Sequence, residues 1–337
     1  MVKITDVARH AGVSPSTVSY ALSGKRSVSQ ETKQRIEASI RALGYRPHAG
    51  ARALASSRSN VVALTMPLRS GIHMPVQMQF AESVVTRARA HDHDVLLLTQ
   101  EEGEDGLRRV AGTALVDGLI VMDVQLRDAR IPLLRTLGLP SVLIGFPADA
   151  EGLTCIDLDF TATGEACVQH LAQFGHRCVA LLGSPPEVYA RGTGFARRTA
   201  AGFTAAAHRY GMTSTVVPCE PGRLAAKETV DRLLRELPDL TGVVVHNEPA
   251  LGPVLEAFKE AGLRIPEDLS AVAICPDELA ENAPVPVSSV PLPAAEVGER
   301  AVELLMTKLN GGEVPDATLL PPQLTRRAST APRGATA

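Results

Sequence analysis

The chain has 337 residues, 45% of them hydrophobic. That is a length of about two domains, with too much apolar side chain for a wholly disordered polypeptide. The net charge of −3 conceals an asymmetry, because residues 1–60 hold ten Lys/Arg against three acids, +7, and the remainder therefore carries −10. A small basic head on a larger acidic body points to a polyanion partner for the head only. No apolar run reaches the ~18 residues that span a membrane. The opening MVKITDVARHAG is too polar and charged for a secretory signal. The five cysteines (Cys155, Cys167, Cys178, Cys219, Cys275) are scattered, without a CxxC pair. Reduced, mostly buried thiols in a cytoplasmic protein with no membrane partner are expected.

In chain order, Thr5 is placed to cap a first helix starting at Asp6, whose acid suits the first turn. Ile4, Val7, Ala8 and Ala11 follow i, i+3, i+4, i+7 and form one buried stripe. Gly12 stops that helix in a left-handed conformation. Ser14 caps a second helix, with Pro15 at its first position, where a missing N–H costs nothing. Val18, Ala21 and Leu22 are expected to face the core, and Pro15, Ser16, Ser19, Tyr20 and Ser23 to face outward. Small hydroxyls and one phenol suit contact with base edges in a groove. Ser29 opens a third helix with Ile36, Ile40 and Leu43 inward and Gly44 as its stop. Lys25, Arg26, Lys33 and Arg35 lie around the loop and third helix, where phosphates can be held. The layout is that of a helix-turn-helix, though a generic three-helix bundle with a solvated basic face has the same spacing.

The residues themselves resemble the head of the lactose/galactose repressor (LacI/GalR) family of bacterial transcription regulators. The matching elements are ITDVARHAGVS, STVS, Leu22-Ser23-Gly24, the VSxxT that opens the third helix, LGYRP at its end, and Ala51-Arg52-Ala53-Leu54. The resemblance implies that Pro15, Ser16 and Tyr20 face base edges in the major groove and that Thr5, Ser14, Thr17 and Ser19 mostly hold phosphates. Lys25, Arg26, Ser29 and Arg52 complete the DNA-contacting set. Leu54 matches the hinge leucine that wedges into the minor groove, exchanging stacking energy for a bent duplex. Many members carry Arg where Tyr20 stands, and a phenol cannot form the bidentate bond that Arg makes to guanine.

Residues 47–60, PHAGARALASSRSN, read as a flexible linker; the resemblance makes them a hinge helix that folds only when paired on DNA. From Val61 apolar runs alternate with amphipathic helical stretches: VVALTM, DVLLL, DGLIVM and SVLIG, then TCIDLD, CVALLG, STVVP, TGVVVH and LSAVAI. This β-α-β alternation predicts parallel sheets covered on both faces, in two similar lobes with a cleft at the strand C-terminal ends. The family's body is a two-lobed periplasmic-binding-protein architecture. TCIDLD at 154–159, HLAQFGHR at 170–177, ALLG at 180–183, AAGF at 200–203 and EAGLRIPEDLS at 260–270 match its landmarks. The expected organisation is a head at 1–46, a hinge at 47–60, and an effector-binding and dimerisation body at 61–327. Its lobes comprise 61–158 plus 290–320, and 159–289 plus 321–327. Residues 328–337 read as a disordered tail.

No P-loop, HExxH or GxSxG is present, so no enzyme, cofactor or metal is expected. His91-Asp92-His93-Asp94 reads as polar loop between helix and strand. Gly192-Thr193-Gly194 reads as a helix lead-in, or alternatively as a backbone contact to a ligand. The resemblance places effector contacts at Gln79 and Phe80. It places a clamping Arg among Arg191, Arg197 and Arg198, in the insertion-like SPPEVYARGTGFARR. Asn247-Glu248 stands at the family's Asn-Asp position, although Asn247 equally suits a cap for the helix at 249. Where many members have a sugar-binding Asp, this chain has Cys275, with Asp277 two residues on. The expected function is a homodimeric (or tetrameric) regulator, most simply a repressor. It binds palindromic double-stranded operator DNA under control of a small-molecule effector, a sugar or related metabolite. A solute-binding protein and a doubly wound enzyme are the rival readings.

Overall fold

In a computed structural model, residues 2–23, 26–45, 58–101, 103–113 and 115–333 are described. Lys25, Gly50, Arg52 and Leu54, with most of the expected hinge, lie outside them.

The head is α1 (Ile4–Ala11), α2 (Pro15–Ser23) and α3 (Gln30–Leu43), packed around Val7, Ala8, Ala11, Val18, Ile36 and Tyr45. Gly12 and Gly44 end their helices at φ +64° and +61°. Two Ser-x-x-Thr caps recur: Ser14 Oγ accepts from Thr17 N at 3.1 Å, and Ser29 Oγ from Thr32 N at 3.3 Å. The first helix starts earlier than expected. Thr5 lies inside α1 and is exposed, and Asp6 reaches back to accept from Lys3 N at 2.9 Å. Leu22 is also not a core residue, being 42% exposed at the last turn of α2.

The first lobe runs β1 (Val61–Thr65), α4 (Met74–Ala90), β2 (Asp94–Leu98), α5 (Glu104–Gly112), β3 (Gly118–Val121), α6 (Ile131–Thr136), β4 (Ser141–Ile144) and β5 (Cys155–Leu158). The chain then builds the second lobe as α7 (Phe160–Gln173), β6 (Cys178–Gly183), α8 (Pro186–Ala190), α9 (Gly194–Arg209), β7 (Thr213–Pro218), α10 (Arg223–Glu236), β8 (Gly242–Val245), α11 (Glu248–Glu260), β9 (Ser270–Ile274), α12 (Asp277–Glu281) and β10 (Ser288–Val290). It returns to the first lobe for α13 (Ala294–Leu309) and β11 (Ala317–Leu320). Sheet orders are β11-β5-β4-β3-β1-β2 and β10-β9-β8-β6-β7, and every strand pairing within them is parallel. Each sheet has an apolar cluster on both faces, which is why its strands are apolar throughout.

In the second lobe α7 and α9 approach backbone to backbone. A Cβ at Gly164 in α7 would lie 2.3 Å from Thr199 O, and one at Gly202 in α9 would lie 2.0 Å from Thr161 O. Glycine in the AAGF segment is therefore a packing requirement between α7 and α9.

Two boundaries differ from expectation. Val290 belongs to the second sheet, through β10, and not to the first lobe. Residues 328–333 are not a disordered tail but a strap on the second lobe. Ser329 is fully buried, with its Oγ donating to Ala271 O at 2.6 Å and accepting from Ser288 N at 2.8 Å. Thr330 Oγ1 lies 3.0 Å from His170 Nε2, and Arg333 N donates to Phe174 O at 2.7 Å. A polar, proline-containing sequence hides this role because its hydrogen bonds are made to distant partners.

Candidate functional site

Two places bring functional side chains together. The first is the exposed side of the head. Pro15, Ser16 and Ser14 are exposed, and Thr17, Ser19 and Tyr20 are half-buried. The Arg26 guanidinium sits over the Tyr20 ring, 5.6 Å from its centroid, so the loop after α2 and the α2 face form one surface. Lys33, Arg35 and Ser29 are exposed on the neighbouring helix. His10 Nδ1 meets Ser39 Oγ at 2.9 Å, and Ser39 Oγ donates to Arg35 O, tying α1 to α3 beneath that surface.

The second place is a cavity of about 120 Å³ between the lobes, at the C-terminal ends of the strands. The first lobe contributes His73, Val76, Gln77 and Phe80 from α4 and the loop before it, then Asp123 and Asp157. The second lobe contributes Phe160, Ser184, Phe195, His246, Asn247 and Glu248. Asp123 follows β3 with φ +54°, a left-handed conformation that is uncommon away from glycine. Arg130 braces that turn by donating to Met122 O and Asp123 O and by pairing with Asp128 at 2.7 Å. Arg69 Nε lies 3.1 Å from Asp123 Oδ2, out of line for a hydrogen bond. Burial raises the Asp123 carboxyl, against the opposing pull of Arg69, Arg191 and Arg130.

Burial also pushes Asp157 and Glu248 up to about 7, and the His246 imidazole down to about 4. Arg198 partly offsets Asp157, and the backbone N–H of Glu248 partly offsets its own carboxyl. The rings of Phe160, Phe195 and His246 pack at 5.7–5.9 Å between centroids. Among the described residues no Lys or Arg lines the cavity.

Of the six expected effector residues, Phe80 and Asn247 line this cavity. Asn247 Nδ2 is committed to Cys219 O at 2.6 Å, and its side chain does not cap α11. Gln79 does not line the cavity and is exposed, while Gln77 is buried with its Oε1 unpartnered. At about 100° per residue, Val76, Gln77 and Phe80 share one helix face, and Gln79 lies on another. Arg197 is outside the cavity: Nη2 donates to Tyr189 O at 2.7 Å and the guanidinium covers the Tyr189 ring. Asp277 faces away, paired with Arg327 at 2.7 Å. Arg191 borders the cleft mouth, where Nη1 reaches Ser70 O at 3.3 Å across the lobes. Cys275 is buried in the hydrophobic cluster, so neither 275 nor 277 supplies a cavity carboxylate. Glu248, the first residue of α11 just beyond β8, supplies one instead.

The side chains that sequence reasoning passed over, His73, Asp123, Asp157, Phe160, Phe195 and His246, are mostly residues at or just beyond strand ends. That position was the available signal.

The lobes are also joined across the cleft. Leu126 N donates to Gly192 O at 2.8 Å, Gly194 N to Val124 O at 3.1 Å, and Arg198 Nη1 to Phe146 O at 2.7 Å. The amides of the Gly192-Thr193-Gly194 turn are thus used within the protein and are not free for a ligand. In the 91–94 turn, His91 Nε2 meets Glu303 at 2.9 Å while His93 Nδ1 meets His91 O. Among the described residues no three His, Cys, Asp or Glu are grouped to hold a metal, and no helix is long and apolar enough to cross a membrane.

Comparison with known proteins agrees with this architecture. Residues 3–48 match bacterial regulatory proteins of the lacI family, and residues 168–330 match a periplasmic binding protein-like domain. The HTH-type transcriptional regulator AglR of Rhizobium meliloti is 30% identical, over 98% of this chain and 95% of its own. The HTH-type transcriptional regulator GntR of Pseudomonas aeruginosa is 30% identical, over 94% and 92%. The lac repressor dimer bound to operator and the anti-inducer ONPF has the same fold, with a TM-score of 0.81 at 23% identity over 98% of this chain and 99% of that one. A transcriptional regulator CelR–cellobiose complex gives 0.69 at 25% identity over 98% and 100%. These relatives are transcriptional regulators and not enzymes, and with a helix-turn-helix head on a two-lobed parallel α/β body the chain belongs to the lacI family of DNA-binding bacterial transcription regulators.

Proposed function

We propose that the protein is a repressor acting in the cytoplasm. It binds a palindromic operator as a homodimer and is gated by a small metabolite, a sugar or a related compound, in the interlobe cavity. The observation that carries the gating is that the cavity walls come from both lobes. A ligand there interacts differently with open and closed lobe arrangements, and only such a difference shifts an equilibrium. By linkage, operator DNA then changes ligand affinity by the same factor.

The dimer follows from symmetry: two heads reading inverted half-sites need an isologous pair of bodies. Residues 47–60, with Arg52 and Leu54, are proposed to form the hinge that couples the two. Where that hinge meets the body, Asp117 holds the backbone N–H groups of Ser59 at 2.6 Å and Asn60 at 2.7 Å. Arg58 adds a bond to Leu309 O at the end of α13. A change at the lobes is thereby delivered to the start of the hinge.

The proposed reading face comprises Pro15, Ser16 and Tyr20 on base edges. Thr5, Ser14, Thr17, Ser19, Lys25, Arg26 and Ser29 are proposed on the backbone. The test is selection of bound duplexes from a random pool by the full-length protein, followed by a metabolite screen on the selected site. An inverted repeat bound by two chains, and released by a metabolite, is the expected result. A single asymmetric site, or no enrichment, overturns the reading.

A further inference from the structure

We propose that Arg26 is a positioning residue for base reading: its guanidinium lies on the Tyr20 ring and holds the phenol at one angle in the major groove, while its N–H edge meets a phosphate. This rests on the reading of α2 as the base-reading helix and specifies how one of its contacts is oriented.

Three observations carry it. First, Tyr20 is placed to read but weakly tethered. It lies four residues after Ser16, on the same face of α2, and is half-buried. Its hydroxyl has no hydrogen-bond partner among the described residues. A phenol carries a single polar atom, so one bond to a base leaves the ring free to swing. Second, the Arg26 guanidinium carbon stands 5.6 Å from the centroid of that ring, within the reach of a cation–ring attraction. Third, Arg26 is exposed and meets no acid among the described residues, whereas Arg9 on α1 is paired with Asp6.

The flat face of a guanidinium can lie on a ring while its N–H donors point outward at the edge. Arg26 can therefore serve two partners at once, the ring beneath it and a phosphate beside it. An ammonium has no flat face, so lysine keeps the charge and loses the stack. The Ser14 and Ser29 caps fix the starts of α2 and α3, and Arg26 lies in the loop between those helices. The stack ties that loop to the reading helix. A phosphate contact alone carries no sequence information, but this one is passed to the base as a fixed ring angle.

The experiment uses the full-length protein and the duplex selected from a random pool, with all four base pairs placed in turn at each position of one half-site. The unchanged chain, Arg26→Lys, Tyr20→Leu and the double variant are titrated at fixed salt, and on bulk DNA across a range of salt. Tyr20→Leu identifies the base pair that Tyr20 reads, as the position where preference changes. There, Arg26→Lys is expected to lower the preference about two- to fivefold, the worth of an exposed cation–ring contact. The salt slope on bulk DNA is kept, because the charge is kept. In Tyr20→Leu the same change at Arg26 lowers the preference no further, so the two effects do not add. A preference unchanged in Arg26→Lys, an equal loss in both backgrounds, or a loss uniform over all four base pairs overturns the positioning role and leaves Tyr20 as a reader. A Tyr20→Leu variant with no altered position overturns the base-reading role of Tyr20, and the proposal with it. Absence of any enriched duplex overturns the operator reading on which both rest.

Discussion

At the scale of single residues, Tyr20 separates specificity from affinity. Its ring is covered by Arg26 and lies beside the small exposed residues of α2. A phenol offers a hydroxyl and an apolar face, but no fork for guanine O6 and N7. Tyr20→Arg is expected to move selected sites toward guanine at one symmetric pair of positions, with discrimination on the order of 1–3 kcal/mol per contact. Identical selected sites for the two proteins would show that Tyr20 reads no base. Glu248 gives a second residue-scale expectation. Its folded carboxyl titrates near 7, above the ordinary 4.5, so the folded protein binds the extra proton between those values. Stability from this group therefore falls as pH rises through that window, and the penalty is complete above it. Glu248→Gln should stabilise the ligand-free protein at pH 8 by roughly 2–3 kcal/mol and hardly at all at pH 4. His246, held near 4, acts with the opposite sign in acid, so melting curves of wild type and variant must be compared at each pH. An equal difference at pH 4 and pH 8 would place the effect in packing and not in the charge.

At the scale of elements, the α7–α9 contact is the least forgiving. Replacing Gly202 by Ala puts a methyl group where Thr161 O lies 2.0 Å away, and a helix backbone cannot yield as a side-chain tip does. Gly202→Ala should destabilise the body by about 1–3 kcal/mol, visible in chemical denaturation as a lower midpoint at unchanged slope. Gly252→Ala, with nothing within 4 Å, is the matched control in α11. The long apolar strands were legible because burial on both faces removes polar residues from them, as in CVALLG and GVVV. β10 was not, because Ser288 and Ser289 satisfy their hydroxyls with groups distant in sequence: Ser288 Oγ lies 3.1 Å from Thr330 Oγ1, and Ser289 Oγ accepts from Arg327 Nη1 at 2.6 Å. The one-turn helices α8 and α12 are set by tertiary contact and have too few residues to show a period. The same limit explains the effector residues. Asp277 follows Cys275 closely in sequence, yet α12 turns it toward Arg327, 50 residues on. Asp157 and Glu248 meet at one cavity from different lobes, a juxtaposition that no local pattern encodes.

At the scale of the whole molecule, the charge split is a statement about how DNA is held. The basic residues of the head are set on exposed helix and loop positions, among them Arg26, Lys33 and Arg35, while the body is acidic and repels a polyanion. Each phosphate neutralised releases counterions, so log K against log salt should be linear, with a slope of about −0.9 per contact. Replacing Lys33 and Arg35 together by Ala removes two cations per chain and four per dimer. If all four meet phosphates, the slope becomes shallower by about 3.6. The loss should be the same on a selected operator and on bulk DNA, because phosphate contacts position the head without reading sequence. Tyr20→Arg should do the reverse, changing the ratio between the two DNAs and adding about one contact per chain at most to the slope. Residues 61–337 alone should bind neither DNA at any salt. Titrations of these three proteins and the unchanged chain on both DNAs across a range of salt therefore separate the two roles of the head. An unchanged slope in the double variant would remove α3 from the phosphate-binding surface and leave the task to the loop and hinge cations.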